Sequence, residues 1–116
     1  MPSPPLAPDD GPIDLAHLKR MTLGDAGLER EVLAMFSAQA VRLIGSLAAL
    51  PADAGALAHT LKGSARAIGA FRVAESAESL EAALGGSGDD IHEALAELKE
   101  AIIQARTAID AMLRRS

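Results

Sequence analysis

The chain contains no cysteine, tryptophan or tyrosine, and its only aromatic residues are Phe36 and Phe71. Without cysteine, a disulfide framework, thiol catalysis and a thiolate metal site are all excluded. Hydrophobic residues still make up 49% of the sequence, so the core has to be built from aliphatic side chains and alanine. That composition favours closely packed helices over sheets.

Long apolar runs and clusters of basic residues are also missing. No apolar stretch approaches the ~20 residues that span a bilayer, and the N-terminus lacks the basic start and apolar run of a signal peptide. Eleven basic and sixteen acidic residues give a net charge of -5, and the basic residues cluster only at Lys19-Arg20 and Arg114-Arg115. We therefore expect no nucleic-acid partner, no membrane partner and a cytoplasmic location.

The 116 residues correspond to one domain with a proline-rich lead-in. Residues 1–12 contain five of the six prolines and few core-forming groups, which predicts a disordered N-terminal segment. Residues 13–116 form the predicted helical domain.

Apolar spacing in this domain predicts one short helix followed by four long ones. The short helix runs from Leu15 to about Met21 with Asp14 as its N-cap, and the next ends at Pro51. Its apolar stripe comprises Leu28, Val32, Met35, Phe36, Leu43, Leu47 and Leu50. The third helix is predicted to run from a cap at Asp53 to Gly69.

The fourth helix begins at Phe71, with its stripe at Val73, Ala77, Leu80 and Leu84, and it stops at the glycine-rich residues 85–88. The last helix restarts at Asp89 or Asp90 with the most regular seam, namely Ile91, Leu95, Leu98, Ile102, Ala105, Ile109 and Met112. These elements predict an all-α fold, an antiparallel four-helix bundle with a short additional N-terminal helix.

One histidine lies off the core-facing stripe of the third helix. At about 100° per residue from Leu57, the side chains of Leu61, Ser64 and Ile68 fall within about 40°, whereas His59 lies near 200°. We therefore expect an exposed and partly neutral imidazole, which is a competent nucleophile near pH 7.

The neighbours of His59 on this face have particular chemistry. Lys62 at i+3 is near enough for its ammonium to approach an oxygen anion attached to the ring. Gly63 at i+4 costs a helix roughly 1 kcal/mol relative to alanine, and one reason for it is clearance for another protein. Lysine or glycine alone is unremarkable; the joint spacing with histidine is informative.

The sequence around His59 resembles the signature of bacterial histidine-containing phosphotransfer (Hpt) domains, here in a stand-alone form. The resemblance rests on AHTLKGSA at residues 58–65, IGA at 68–70 and LE at 80–81, and it extends over residues 13 to 113. Two positions depart from the family pattern: Ala65 stands where serine is common, and Arg66 adds a positive charge. Neither departure removes a reacting group.

The resemblance implies a function and assigns roles to four residues. His59 is the phosphorylated nucleophile, Lys62 stabilises phosphoryl charge, Gly63 gives the partner clearance, and Glu81 orients the imidazole. The protein is then a carrier in a multistep two-component phosphorelay, without kinase activity or a cofactor of its own. Its partners are the receiver domains of a hybrid histidine kinase and of a response regulator, which supply Mg²⁺. We expect a monomer.

Several alternatives stay open beside this interpretation. Glu81 is as consistent with a solvated or ion-paired side chain, and Gln39 with a polar contact inside the bundle or a group supporting the site. Asp14 with His17, and Asp89 with His92, have metal-ligand spacing, but each aspartate is better explained as an N-cap. The second function from a different class is a non-phosphorylated interaction module that binds and regulates a receiver or kinase, for which His59 is dispensable.

Overall fold

The structure, a computed structural model, describes residues 11–115, and in that range it is built from helices without strands. The helices in chain order are α1 (Leu15–Met21), α2 (Ala26–Leu47), α3 (Ala54–Ile68), α4 (Phe71–Leu84) and α5 (Ile91–Arg115). Helices α2 to α5 pack in a ring, each against its neighbours, and α1 packs on α3. Because short connections join consecutive neighbours, they run antiparallel. The predicted all-α bundle with a short N-terminal helix is confirmed.

The predicted N-terminal segment lies mostly outside the described residues, which begin at Gly11. Gly11 and Pro12 are described as a half-buried bend, and Pro12 lines a shallow groove on α5 beside Thr107 and Ala108. No helix within residues 11–115 is both long and apolar enough to cross a membrane.

Aspartates begin three of the five helices. Asp14 Oδ1 accepts a hydrogen bond from the backbone N–H of His17 at 3.1 Å, and Asp25 Oδ1 accepts one from Leu28 at 2.9 Å. Asp90, the second of the two aspartates considered for α5, accepts bonds from the backbone N–H groups of residues 92 and 93. Each carboxylate satisfies amides that have no partner within the helix.

Asp53 occupies the predicted N-cap position of α3, but the prediction that its side chain caps the helix is wrong, because that side chain makes no capping hydrogen bond. Its backbone is not in the extended conformation of an N-cap, with φ -94° and ψ 20°. A turn after Pro51 starts the helix instead, with the N–H of Ala54 bonded to the Pro51 carbonyl at 3.0 Å. Before it, α2 ends at Leu47, and Leu50, which precedes Pro51, takes a left-handed φ of 49°.

Gly69 joins the end of α3 to the start of α1. It adopts a left-handed φ of 87°, and its carbonyl accepts the backbone N–H of Asp14 at 2.9 Å. A β-carbon at this position would lie 2.8 Å from the Asp14 carbonyl oxygen. Only glycine fits both the conformation and this close approach.

The core-facing side of α3 is turned from its predicted position. Its buried residues are Ala54, Ala58, Leu61, Ala65 and Ile68, whereas Leu57 and Ser64 of the predicted stripe are half-buried. The centre of the buried face therefore lies near 60° from Leu57, and not near 10°. The small alanines let α3 approach the neighbouring helices closely, a contribution that a pattern of large side chains does not reveal.

The stripe of α2 is corrected in the same way. Its buried residues are Leu33, Phe36, Ala40 and Leu47. Leu28 and Met35 of the predicted stripe are exposed, with Met35 64% accessible. In α4 and α5 the predicted stripes are confirmed, with only their outermost members half-buried. Both helices therefore pack against the core mainly through their large aliphatic residues.

Candidate functional site

His59 projects from the middle of α3 on the face away from the bundle core. Its side chain is 67% exposed, and its Nδ1 atom lies 3.0 Å from Oε2 of Glu81 on α4. One ring nitrogen thus has a fixed partner within the protein. A carboxylate only accepts hydrogen bonds, so the contact assigns the ring proton to Nδ1 and leaves the Nε2 lone pair available.

Glu81 connects two residues of α3 through its two carboxylate oxygens. While Oε2 meets the imidazole, Oε1 accepts a hydrogen bond from Lys62 Nζ at 2.8 Å. The bond from Lys62 holds the pKa of the Glu81 carboxyl below its ordinary value of 4.5, against the opposing effect of burial, and the contact with His59 acts in the same direction as Lys62. Glu81 is therefore ionised at neutral pH.

Lys62 lies closer to the bundle core than its position in the sequence suggested. Its side chain is only 14% exposed, because the centre of the buried face of α3 is turned toward it. The sequence led us to expect its ammonium beside an anion on the imidazole; in the structure one of its donors is directed to Glu81. Lys62, Glu81 and His59 thus form one continuous chain of contacts between α3 and α4.

Gly63 is exposed, and no packing contact with the other residues of the range 11–115 requires a glycine at this position. A β-carbon placed there would meet no atom within 4 Å outside its own helix turn. Gly55, at i-4 from His59, is equally open. Bare backbone therefore flanks the imidazole on both sides along the helix. Gly55 was not identified from the sequence, although the same four-residue spacing could have indicated it.

Arg66, the second cation near His59 in the sequence, is paired elsewhere. Its guanidinium donates to Glu78 Oε2 on α4 at 3.2 Å, and both side chains are more than half exposed. This surface pair ties α3 to α4 beyond the Lys62 contact. Its contribution to stability is small because exposed ion pairs are screened by water.

A groove of about 510 Å³ lies between α2 and α3. Its lining is mainly apolar and includes Val32, the exposed Met35, and Ala67. Gln39 and Arg42 contribute polar groups to the same groove. Gln39 is half-buried on this surface and therefore does not lie inside the bundle core. No described hydrogen bond joins it to His59, whose ring contacts Glu81.

The other two histidines lie in different settings. His17 Nε2 lies 3.1 Å from the Ala67 carbonyl oxygen, and the His17 and Phe71 rings meet edge-on with their centroids 5.1 Å apart. These contacts attach α1 to the bundle. His92 is exposed in the first turn of α5, where its backbone N–H is bonded to the capping carboxylate of Asp90. Within residues 11–115, no three histidine or acidic side chains come together in an arrangement that would hold a metal ion.

The family model of the Hpt domain matches residues 31–108, about two thirds of the chain. The match contains His59, Lys62, Gly63 and Glu81, together with all of α3 and α4. No curated protein and no solved structure is similar enough to this chain to add to that match. Hpt domains transfer phosphoryl groups through histidine in two-component phosphorelays; they are carriers and not kinases, and they interact with receiver domains. On its sequence match and its helical bundle, the chain belongs to the Hpt domain family.

Proposed function

We propose that this protein is the phosphoryl-carrying intermediate of a multistep phosphorelay and that His59 is the residue phosphorylated. It receives the group from an aspartyl phosphate in the receiver domain of a hybrid histidine kinase and delivers it to the receiver domain of a response regulator. The observation that carries the proposal is that the His59 ring is exposed and is held at Nδ1 by Glu81, so that Nε2 is the ring nitrogen that Glu81 does not engage. A merely solvated surface histidine needs no such contact.

The chemistry follows from this tautomer. The Nε2 lone pair attacks the phosphorus of the aspartyl phosphate, a P–N bond forms, and the P–O bond to the aspartate breaks with its electrons leaving on the carboxylate. Glu81 favours this step because it fixes the ring orientation and keeps the proton on the other nitrogen. The protein itself needs no cofactor, and Mg²⁺ is supplied by the partner receiver.

Lys62 and the glycines have supporting roles. An ammonium group carries three donors, and Glu81 engages one of them, so Lys62 retains donors and positive charge for the phosphoryl oxygens. The open backbone at Gly55 and Gly63 gives clearance for a receiver active site that descends over the ring. In these roles neither Lys62 nor the glycines form a bond to phosphorus; His59 alone does so.

The docking surface combines small and apolar groups with charges at its rim. Met35 and the groove beside Ala67 supply apolar area, and Arg42 supplies positive charge at its edge. A patch of this kind suits a small, transient interface with a receiver domain. We propose a cytoplasmic monomer in this role.

A labelling experiment separates the relay from an interaction module that binds receivers without phosphorylation. Incubation with a phosphorylated receiver should give an acid-labile, base-stable label on the wild type. His59→Gln should abolish that label, whereas His92→Gln, which removes another exposed histidine, should retain it. Circular dichroism should show unchanged helix content in both variants. A wild-type protein that takes no label from any receiver of its organism would contradict the relay.

A further inference from the structure

The group that holds the His59 ring is a charged carboxylate, and its negative charge affects the protonation of the ring in the phosphorylated state. A neutral amide in the place of Glu81 would equally accept a hydrogen bond from the Nδ1–H group and orient the ring. A carboxylate adds a negative charge 3.0 Å from that nitrogen. Negative charge at this distance favours the protonated form of a ring by electrostatic attraction.

The surroundings keep this charge in place. The mostly buried Lys62 donates a hydrogen bond to the other carboxylate oxygen of Glu81 at 2.8 Å. This bond holds the Glu81 carboxylate in position and favours its ionised form. Other charged groups on these helices include Arg66 on α3 and Glu78 on α4, which pair with each other, and Arg42, which lines the groove between α2 and α3. Glu81 is the acidic group in contact with the ring.

We propose that Glu81, positioned by Lys62, keeps Nδ1 of His59 protonated after Nε2 has been phosphorylated, and thereby makes phosphorylated His59 a fast phosphoryl donor. The inference rests on the proposed function, because it concerns the second half of the relay. It assigns Glu81 a role in giving up the phosphoryl group, in addition to orienting the ring that accepts it.

The chemistry of the donor step depends on that proton. An oxygen of the acceptor, either a receiver aspartate or water, forms a bond to phosphorus while the P–Nε2 bond breaks and its electron pair returns to Nε2. With Nδ1 protonated, the leaving group is neutral imidazole. Without that proton it is an imidazolate anion, which is a far poorer leaving group. Glu81 accepts a hydrogen bond from Nδ1–H throughout this step and exchanges no proton with the phosphoryl acceptor.

The test uses the full chain phosphorylated by phosphoramidate, a small donor that transfers its phosphoryl group to histidine with loss of ammonia. Phosphate release to water is followed by phosphorus NMR from neutral to alkaline pH, and the signal that His59→Gln lacks is assigned to His59. The wild-type release rate should fall above a midpoint pH at which the ring loses its proton. In Glu81→Gln, which keeps a hydrogen-bond acceptor and loses the charge, that midpoint should lie about one pH unit lower.

Glu78→Gln is the matched control, because it makes the same change one turn away on α4, in the ion pair with Arg66. Its midpoint should coincide with that of the wild type. An unchanged midpoint in Glu81→Gln, an equal shift in Glu78→Gln, or failure of His59 to take the phosphoryl group from phosphoramidate would each overturn the inference. These results are distinct from failure of the relay itself, which appears as the absence of transfer from phosphorylated receivers to the wild type.

Discussion

Gly63→Ala is expected to stabilise the protein and to slow its exchange of phosphate with receivers. The helix is continuous at this position, and a β-carbon meets open space. Alanine therefore adds no clash within the protein, and it is favoured over glycine in a helix interior by about 1 kcal/mol. For a domain of this size, such a gain raises Tm by about 4 °C.

The same methyl group lies one turn from His59, where a receiver approaches in the proposed relay. Forcing an extra methyl into a well-packed contact costs about 1–3 kcal/mol, and because 1.4 kcal/mol corresponds to a factor of ten, we expect transfer from a receiver to be roughly tenfold slower. Phosphorylation by phosphoramidate should be unaffected, since that donor is too small to meet the methyl. Stopped-flow or gel-based transfer assays with a phosphorylated receiver measure the difference.

Gly45→Ala is the matched control for this prediction. Gly45 also lies inside a helix and has open space where a methyl group would be added, but it belongs to α2 and lines a groove shared with α5. The substitution should raise Tm by a similar amount and leave transfer unchanged. If Gly63→Ala transfers phosphate as fast as Gly45→Ala, the clearance role of Gly63 is wrong. If neither variant gains stability, the helix-propensity argument is wrong.

Three further predictions concern the site and its support. Gly69→Ala should lower the free energy of unfolding by about 2–4 kcal/mol in urea titrations, through left-handed strain and displacement of the Asp14 cap; a loss similar to that of an exposed helix substitution would refute this. Because the pKa of Glu81 is lowered in the folded state, its stabilising contribution is present above about pH 4.5 and is lost as the pH falls through the folded-state value. Urea unfolding of Glu81→Gln should lack this acid-dependent component, and parallel pH profiles for the two proteins would argue against it. Lys62→Ala should slow transfer without abolishing it, whereas His59→Gln abolishes it; equal losses in the two variants would contradict their separate roles.

Helix periodicity and breakers predicted most of the architecture. Aliphatic residues at steps of three and four along α4 and α5 carry enough volume to reveal the buried face without any tertiary information. Proline and glycine placed the helix ends near their observed positions, although α2 stops at Leu47 and not at Pro51. Local backbone sterics act within a few residues, so they can be derived from sequence alone.

The faces of α2 and α3 were predicted less accurately, for a physical reason. Alanines such as Ala58 and Ala65 are buried because neighbouring helices approach them, and their small side chains give little signal in a hydrophobic pattern. Met35 matches the pattern of a core residue yet is exposed, because no helix of the described bundle covers it. Which side of an amphipathic helix is covered depends on the positions of its neighbours.

The sequence by itself determined that His59 is exposed, flanked by a cation and a glycine on one helix face, since these relations follow from the geometry of a single helix. Only the tertiary structure decided that Glu81 meets Nδ1 and that Lys62 is drawn down to Glu81. Those contacts cross between α3 and α4, and their distances depend on how closely the two helices pack through their alanines. The position of the proposed nucleophile therefore follows from local sequence, whereas the negative charge beside its ring depends on the assembled bundle.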